Sequence, residues 1–152
     1  LSPYRNKDVN FLEIGLAYGE SLEMWYEYFT KNSKIYGVDN QTKEIDSYLE
    51  DNRFDITIVD ATSPLIKGYF HDIKFDIIVD DGSHMKDHQL QTFNLLKDHM
   101  NKGGIYIIED VMNLDNVRDE FLNLGGVSTD CEILDLRKEK GRHDDVLIVY
   151  KF

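Results

Sequence analysis

Apolar and polar positions along this chain form alternating blocks that predict strands and helices in turn. The block Phe75–Val79 ends in three consecutive β-branched residues, as is typical of a strand buried on both faces. Four apolar residues instead follow the spacing of one helix face, namely Leu22, Trp25, Tyr26 and Phe29. Strands are predicted over 9–14, 34–38, 56–59, 75–79, 105–108, 128–136 and 146–151, and helices over 22–29, 43–51, 86–101 and 115–124.

The order of these blocks predicts a three-layer α/β sandwich. Five strand-helix units come first, and such units place their strands parallel in one sheet. The segment Lys102-Gly103-Gly104 is expected to end the helix predicted over 86–101 and to start the fifth strand. The last two strands follow each other without a helix, so they are expected to form an antiparallel hairpin at one end. The fold class is therefore α/β, with a mostly parallel seven-stranded sheet.

Glycines and acids gather where the first three predicted strands end. Gly15 and Gly19 flank a turn that lets backbone approach a ligand closely. Asp39 ends the second strand, where an acid can accept hydrogen bonds from ribose hydroxyls. These features fit both nicotinamide and S-adenosylmethionine folds. Asp60, which ends the third strand, favours a methyltransferase if it accepts the adenine amino group; its alternative role is to cap a turn.

Composition limits the classes of partner and compartment. The 152 residues suffice for one domain with its own core, and a net charge of −12 disfavours nucleic acid. No signal peptide or membrane-spanning segment is predicted. The single Cys131 fits a reducing compartment, so we expect a cytoplasmic location. Because the chain begins at Leu1 rather than Met, we expect it to be a piece of a longer polypeptide.

Polar residues also follow the fourth and fifth predicted strands, in the segments DDGSH (80–84) and IIED (107–110). Together with the earlier motifs, these segments resemble those of a known family. The chain resembles class I S-adenosylmethionine-dependent methyltransferases, with their Rossmann-like sheet, and within them the metal-dependent sugar O-methyltransferases of macrolide biosynthesis. The pairing of DDGSH with IIED is far more specific than the glycine and acid pattern. The matching segments are FLEIGLAYGESLEMW (11–25), YGVDN (36–40), VDAT (59–62), IIVDDGSH (77–84) and GGIYIIED (103–110).

The resemblance implies roles for individual side chains. Asp81, Glu109 and Asp110 would supply hard oxygen ligands for a divalent cation, expected to be Mg²⁺. His84 corresponds to the general base of the resembled enzymes, and a histidine suits proton removal near neutral pH. His88 is expected either to line the substrate site or to hold the loop. The cofactor site is expected to comprise Glu13, Gly15, Tyr18, Gly19, Ser21, Asp39, Asp60, Ala61 and Asp80, the last of these either facing the cofactor or structural.

These expectations lead to one function and three alternatives. We expect O-methylation of a sugar or glycoside hydroxyl that depends on S-adenosylmethionine and a divalent metal. A catechol or other vicinal diol is the alternative acceptor. A cation recognises two adjacent oxygen atoms more strongly than it recognises the ring that carries them. A nicotinamide oxidoreductase or a non-catalytic cofactor-binding domain are the alternatives from other classes. The short loops suggest that missing sequence, a neighbouring domain or another subunit completes acceptor binding.

Overall fold

A computed structural model describes residues 1–41, 52–124, 126 and 129–152 of the chain. The helix predicted over 43–51 lies outside these residues. The strands are β1 (Asn10–Ile14), β2 (Lys34–Asp39), β3 (Phe54–Ile58), β4 (Phe75–Asp80), β5 (Met100–Ile108), β6 (Asp130–Asp135) and β7 (Val146–Lys151). The α-helices are α1 (Glu20–Tyr28), α2 (Ile66–Tyr69), α3 (Lys86–Leu96), α4 (Leu114–Leu124) and α5 (Arg137–Lys140), with 3₁₀ turns at Ser2–Tyr4 and Lys97–His99.

The seven strands form one sheet in the order β3-β2-β1-β4-β5-β7-β6. Strands β1 to β5 pair in parallel, whereas β7 is antiparallel to both β5 and β6. The predicted fold class, including the terminal antiparallel hairpin, is confirmed. Ile14, Asp80 and Ile108 lie side by side in register, so β1, β4 and β5 end at the same level.

Both faces of the sheet are covered, as the apolar run in β4 predicts. Ile78 packs into the core beneath α3 and α4, whereas Ile77 and Val79 pack on the opposite face together with Leu22 of α1. All three β4 side chains are almost fully buried. Cys131 lies half-buried on β6. Within the part of the chain that is described, no helix has the length and apolar character needed to cross a bilayer.

Two predictions about the elements are wrong. The connection between the last two strands was expected to contain no helix, yet it holds the short helix α5 (Arg137–Lys140), and one helix boundary also differs. Helix α3 ends at Leu96 rather than near Asn101, and β5 begins at Met100, so Gly103 and Gly104 lie inside the strand. A Cβ on Gly104 would lie 2.9 Å from the backbone oxygen of Asn101, and Gly103 has a φ of +82°. The β4–β5 register shifts at the same place. The glycine pair therefore serves a β-bulge, not a helix end.

Candidate functional site

A cavity of about 360 Å³ opens at the carboxyl ends of β1 to β4. This is the edge where parallel α/β sheets bind ligands. The lining includes the predicted site residues Gly15, Asp39, Asp60, Ala61, Asp80, Asp81 and His84. Six other predicted site residues are not part of this lining, namely Glu13, Tyr18, Gly19, Ser21, Glu109 and Asp110. The structure thus brings the ends of four strands to one cavity, with part of the predicted set around its edge.

Gly15 lets the β1–α1 turn pack directly on the loop that follows β4. Its φ is +86°, and a Cβ at this position would lie 2.3 Å from the backbone oxygen of Asp81. The amide of Asp81 donates to the carbonyl of Ile14 at 2.9 Å, which ties the two strand ends together. Only glycine combines this φ with so close a backbone approach. The close packing therefore fixes the position of the β1–α1 turn relative to Asp81.

Asp39 and Asp60 both hold turns at the rim of the cavity. Asp39 Oδ2 accepts hydrogen bonds from the amides of Leu16 at 2.9 Å and Ala17 at 3.3 Å, which fixes the glycine turn. Asp60 Oδ1 accepts from the amide and the hydroxyl of Thr62, each at 2.8 Å. These bonds lower the pKa of Asp60. The turn-capping role of Asp60 is thus observed, and its contact with adenine stays a prediction.

Two carboxyl side chains at the strand ends, those of Glu13 and Asp80, are buried and hydrogen-bonded within the protein. Asp80 is 3% exposed, and its Oδ2 accepts from the Tyr106 hydroxyl at 3.3 Å. Glu13 accepts from Ser21 Oγ at 2.8 Å and from Trp25 Nε1 at 2.9 Å, so it anchors α1 to β1. Burial raises the pKa of Glu13 and of Asp80 to about 7. For Glu13 and Ser21 the observed contacts are structural, and their cofactor roles remain predictions.

Asp81, His84 and Asp110 form a cluster whose potential ligand atoms all lie within 4.8 Å of one another. His84 Nε2 is 4.0 Å from Asp81 Oδ1. Burial raises the pKa of Asp81, and the negative charge of Asp110 raises it further. Glu109 lies outside the cluster, yet burial and the charges of Asp81 and Asp110 raise its pKa to about 7. Carboxylates that disfavour one another's ionisation in this way are stabilised by a bound cation.

The backbone is strained at two members of the cluster. His84 has a φ of +55° and Asp110 a φ of +50°, both in the left-handed region that few residues other than glycine adopt. Such a conformation costs about 1–3 kcal/mol and is concentrated at functional sites. His84 Nδ1 is buried without a hydrogen-bond partner among the described residues. In this conformation the ligand atoms of both side chains lie within 4.8 Å of those of Asp81, which agrees with a functional role for the cluster.

The structure adds residues that the motifs did not reveal. Arg142, in the loop before β7, lies 3.5 Å from Asp110 and is held at 3.0 Å by the buried Asp145. The loop contains many charged residues of both signs, so its sequence gave no reason to select Arg142. Gln89 is buried and donates from Nε2 to the Glu109 carbonyl at 2.9 Å. A signal for Gln89 did exist, since it occupies a core position one turn before Phe93.

His88, whose role the motifs left open, lines the cavity and also contacts the loop. Its Nδ1 lies 2.9 Å from Ser83 Oγ, and the same hydroxyl accepts from the amide of Met85 at 3.4 Å. The imidazole thus holds the turn that carries His84. Both expected roles are therefore compatible with its position.

Comparison with known proteins identifies residues 12–111 as similar to a methyltransferase domain, because a family model with that description matches them. The demethylmacrocin O-methyltransferase of Streptomyces fradiae is 36% identical over 117 residues, which cover 71% of this chain and 29% of that protein. The mycinamicin VI 2''-O-methyltransferase of Micromonospora griseorubida is 34% identical over 117 residues, covering 71% of this chain and 28% of that protein. The chain thus spans less than a third of the length of these relatives.

A solved structure agrees with the sequence matches. The MycE methyltransferase from the mycinamycin biosynthetic pathway, in complex with Mg, SAH and mycinamycin VI, is 35% identical with a TM-score of 0.62. That alignment covers 71% of this chain and 29% of the other. A second MycE structure, with Mg and SAH, covers 98% of this chain and 46% of the other, at 25% identity and a TM-score of 0.71.

Proposed function

The chain belongs to the methyltransferase domain family, and from this premise we propose that it catalyses S-adenosylmethionine-dependent and Mg²⁺-dependent O-methylation of a sugar or glycoside hydroxyl. One observation carries the proposal: Asp81, Asp110 and His84 converge beside a cavity formed by the ends of four strands. Relatives named for O-methylation of macrolide and rhamnosyl tetracenomycin sugars support the acceptor class.

The carboxylates fit a hard divalent cation. Asp81 and Asp110 offer oxygen ligands within 4.8 Å, and Glu109 is close enough for their charges to raise its pKa. Oxygen donors of this kind are the ligands that Mg²⁺ prefers. We therefore assign Asp81, Glu109 and Asp110 as the residues that would hold Mg²⁺. His84 remains free of that assignment because its proposed task is to accept a proton.

The methyl donor is proposed to lie along the cavity. Asp39 would accept from the ribose, and Asp60 and Ala61 would lie near the adenine, in keeping with their positions on the lining. When bound, S-adenosylmethionine would supply its methyl group for in-line displacement at the methyl carbon, with the neutral thioether as leaving group, and Mg²⁺ would supply positive charge that favours the ionised acceptor hydroxyl. The chain's own part is to hold these groups in line, which accounts for much of the rate enhancement without a covalent enzyme intermediate.

His84 is the proposed general base. Its Nε2 lies 4.0 Å from Asp81 Oδ1, so a hydroxyl held near Asp81 lies within reach of the imidazole. The buried Nδ1 leaves Nε2 as the nitrogen available for this step.

The comparisons and the composition of the chain support proposals about the whole protein. We propose that the chain forms a single methyltransferase domain within a longer polypeptide, and that a neighbouring domain or a second copy contacts the acceptor. The short coverage of the relatives supports this arrangement. We also propose a cytoplasmic location, supported by the single Cys131. The net charge of −12 supports a small-molecule acceptor over nucleic acid.

Methyl transfer from labelled S-adenosylmethionine to methyl α-L-rhamnoside tests the activity, with catechol assayed in parallel. We expect a labelled methyl ether of the glycoside whose formation stops in EDTA and resumes when Mg²⁺ is restored. Unchanged turnover in EDTA would contradict the metal assignment. Methylation of catechol in place of the glycoside would contradict the acceptor class.

A further inference from the structure

Gln89 is a polar side chain at a position where the fold requires burial. It lies on the core face of α3, is 2% exposed, and shares that face with Phe93 and Leu96. Burying an amide costs free energy unless its polar atoms find partners. An apolar side chain would fill the same space without that cost, so the contacts of the amide require an explanation.

The Gln89 amide is only half satisfied. Its Nε2 donates to the backbone oxygen of Glu109 at 2.9 Å, whereas Oε1 is buried without a partner among the described residues. Leaving a buried acceptor unpaired costs about 1–3 kcal/mol, which is comparable to or larger than the gain from one neutral hydrogen bond. The amide therefore contributes little net stability. Gln89 also lines the cavity, and its bond to the Glu109 carbonyl is the polar contact that an apolar residue could not make.

That bond acts on the turn that carries the acids. The Glu109 amide donates to the Asp80 carbonyl at 2.9 Å, so the peptide before Glu109 is fixed to the end of β4. Gln89 holds the carbonyl of the next peptide, the one that leads into Asp110. Asp110 has a φ of +50°, and rotation of this peptide would release that strain and move the carboxylate. With both peptides held, the Asp110 carboxylate stays within 4.8 Å of the ligand atoms of Asp81 and His84.

We propose that Gln89 is a positioning residue for the metal site, which orients Asp110 through the Glu109 carbonyl and does not itself touch the cation. The proposal rests on the Mg²⁺ site of the proposed function. Residues that hold metal ligands in place typically contribute 10–100-fold to metal affinity, and we expect an effect of about that size.

The test is calorimetric titration of Mg²⁺ into the wild-type chain and a Gln89→Met variant, with thermal unfolding of each. Methionine keeps the unbranched shape but removes both the donor and the unpaired acceptor. We expect the Mg²⁺ Kd to rise by about 10–100-fold, while the midpoint of thermal unfolding is unchanged or higher. Gln91→Met is the matched control, because Gln91 lies on the same helix and donates to the Thr62 carbonyl at 2.6 Å, away from Asp110. Its Mg²⁺ Kd should equal that of the wild type.

The possible outcomes distinguish failure of the positioning role of Gln89 from failure of the proposed Mg²⁺-dependent function. A Gln89→Met variant that unfolds at a lower temperature yet keeps the wild-type Kd would show a merely structural role and overturn the proposal. If that variant does not fold, Gln89→Asn, one methylene too short to reach the carbonyl, must show the same loss of affinity. Absence of Mg²⁺ binding by the wild type would overturn the metal site itself and this role with it. A titration with S-adenosylmethionine would still report on the cofactor site in that case.

Discussion

His84 combines a strained backbone, a buried Nδ1 and an Nε2 directed at Asp81. A His84→Ala variant should bind S-adenosylmethionine as the wild type does but lose methyl transfer by roughly 10²–10⁴-fold, because general base catalysis contributes a factor of that size. Cofactor binding by calorimetry and labelled methyl transfer measure the two properties separately. His71→Ala is the control, since His71 is exposed and pairs with Asp72 at 2.6 Å. Wild-type turnover in His84→Ala would remove this residue from the mechanism.

Glu13 gives the protein a defined dependence of stability on pH. Burial raises its pKa from 4.5 to about 7, so between these values the folded state binds a proton that the unfolded state has released. The stability that this proton confers is fully present below the unfolded pKa and is lost as the pH rises through about 7. The full effect is at most about 3 kcal/mol.

A Glu13→Gln variant should therefore lack this part of the pH dependence. The glutamine oxygen can still accept from Trp25, and no carboxylate has to be buried. Urea unfolding at about pH 5 and about pH 8 should show the free energy of unfolding of the wild type falling relative to the variant. Glu23→Gln, at an exposed position on the same helix, should follow the wild type. Parallel pH profiles for wild type and Glu13→Gln would contradict the assignment.

Single side chains were predictable where a motif gave them chemistry. Asp81, His84 and Asp110 were predicted from DDGSH and IIED, and the structure brings them together. Glu109 belonged to the same prediction but lies just outside the cluster. Arg142 could not be predicted, because its place 3.5 Å from Asp110 is a contact between two loops that are distant in sequence. Local patterns carry the chemistry of a strand end, whereas contacts between distant loops depend on tertiary packing.

At the scale of the elements, the glycine-containing turn after β1 decides how closely β1 packs on the loop that follows β4. Gly15→Ala would place a Cβ 2.3 Å from the Asp81 carbonyl oxygen at a φ of +86°. We expect this variant to lose more than about 2 kcal/mol of stability and to bind S-adenosylmethionine more weakly, because the β1 turn must move away from β4. Thermal unfolding and calorimetry measure the two effects.

Gly68→Ala is the matched control for that variant. Gly68 lies in α2, and a Cβ there would meet no atom within 4 Å. We expect its stability to be equal to that of the wild type or up to about 1 kcal/mol higher, since alanine favours a helix over glycine. Wild-type stability in Gly15→Ala would show that the close packing of the β1 turn on the Asp81 loop is not required.

Elements were predictable where their periodicity was long and uninterrupted. The buried run of β4 was read from spacing and is confirmed. The predicted face of α1 is confirmed only in part, since Leu22 is buried but Tyr26 is exposed and Phe29 lies just past the end of the helix. The end of α3 was not predictable, because Gly103 and Gly104 resemble a helix stop in sequence. Their actual role depends on the bulge in the β4–β5 pairing, which spacing along one strand does not reveal.

At the scale of the whole molecule, the parallel order of β1 to β5 accounts for the site. Ile14, Asp80 and Ile108 end their strands at one level, so acids distant in sequence meet at one edge of the sheet. This arrangement followed from the β/α alternation and was predictable. The acceptor site was not, since the matched part of the chain covers less than a third of the two curated relatives and neither the motifs nor the fold define what covers the cavity.

The central claim is that this edge of the sheet binds S-adenosylmethionine beside a divalent cation. Calorimetric titration of the chain with S-adenosylmethionine and with NAD, each with and without Mg²⁺, tests it most directly. The account predicts saturable binding of S-adenosylmethionine, no binding of NAD, and Mg²⁺ binding that Asp81→Asn weakens. Binding of NAD without binding of S-adenosylmethionine would contradict it.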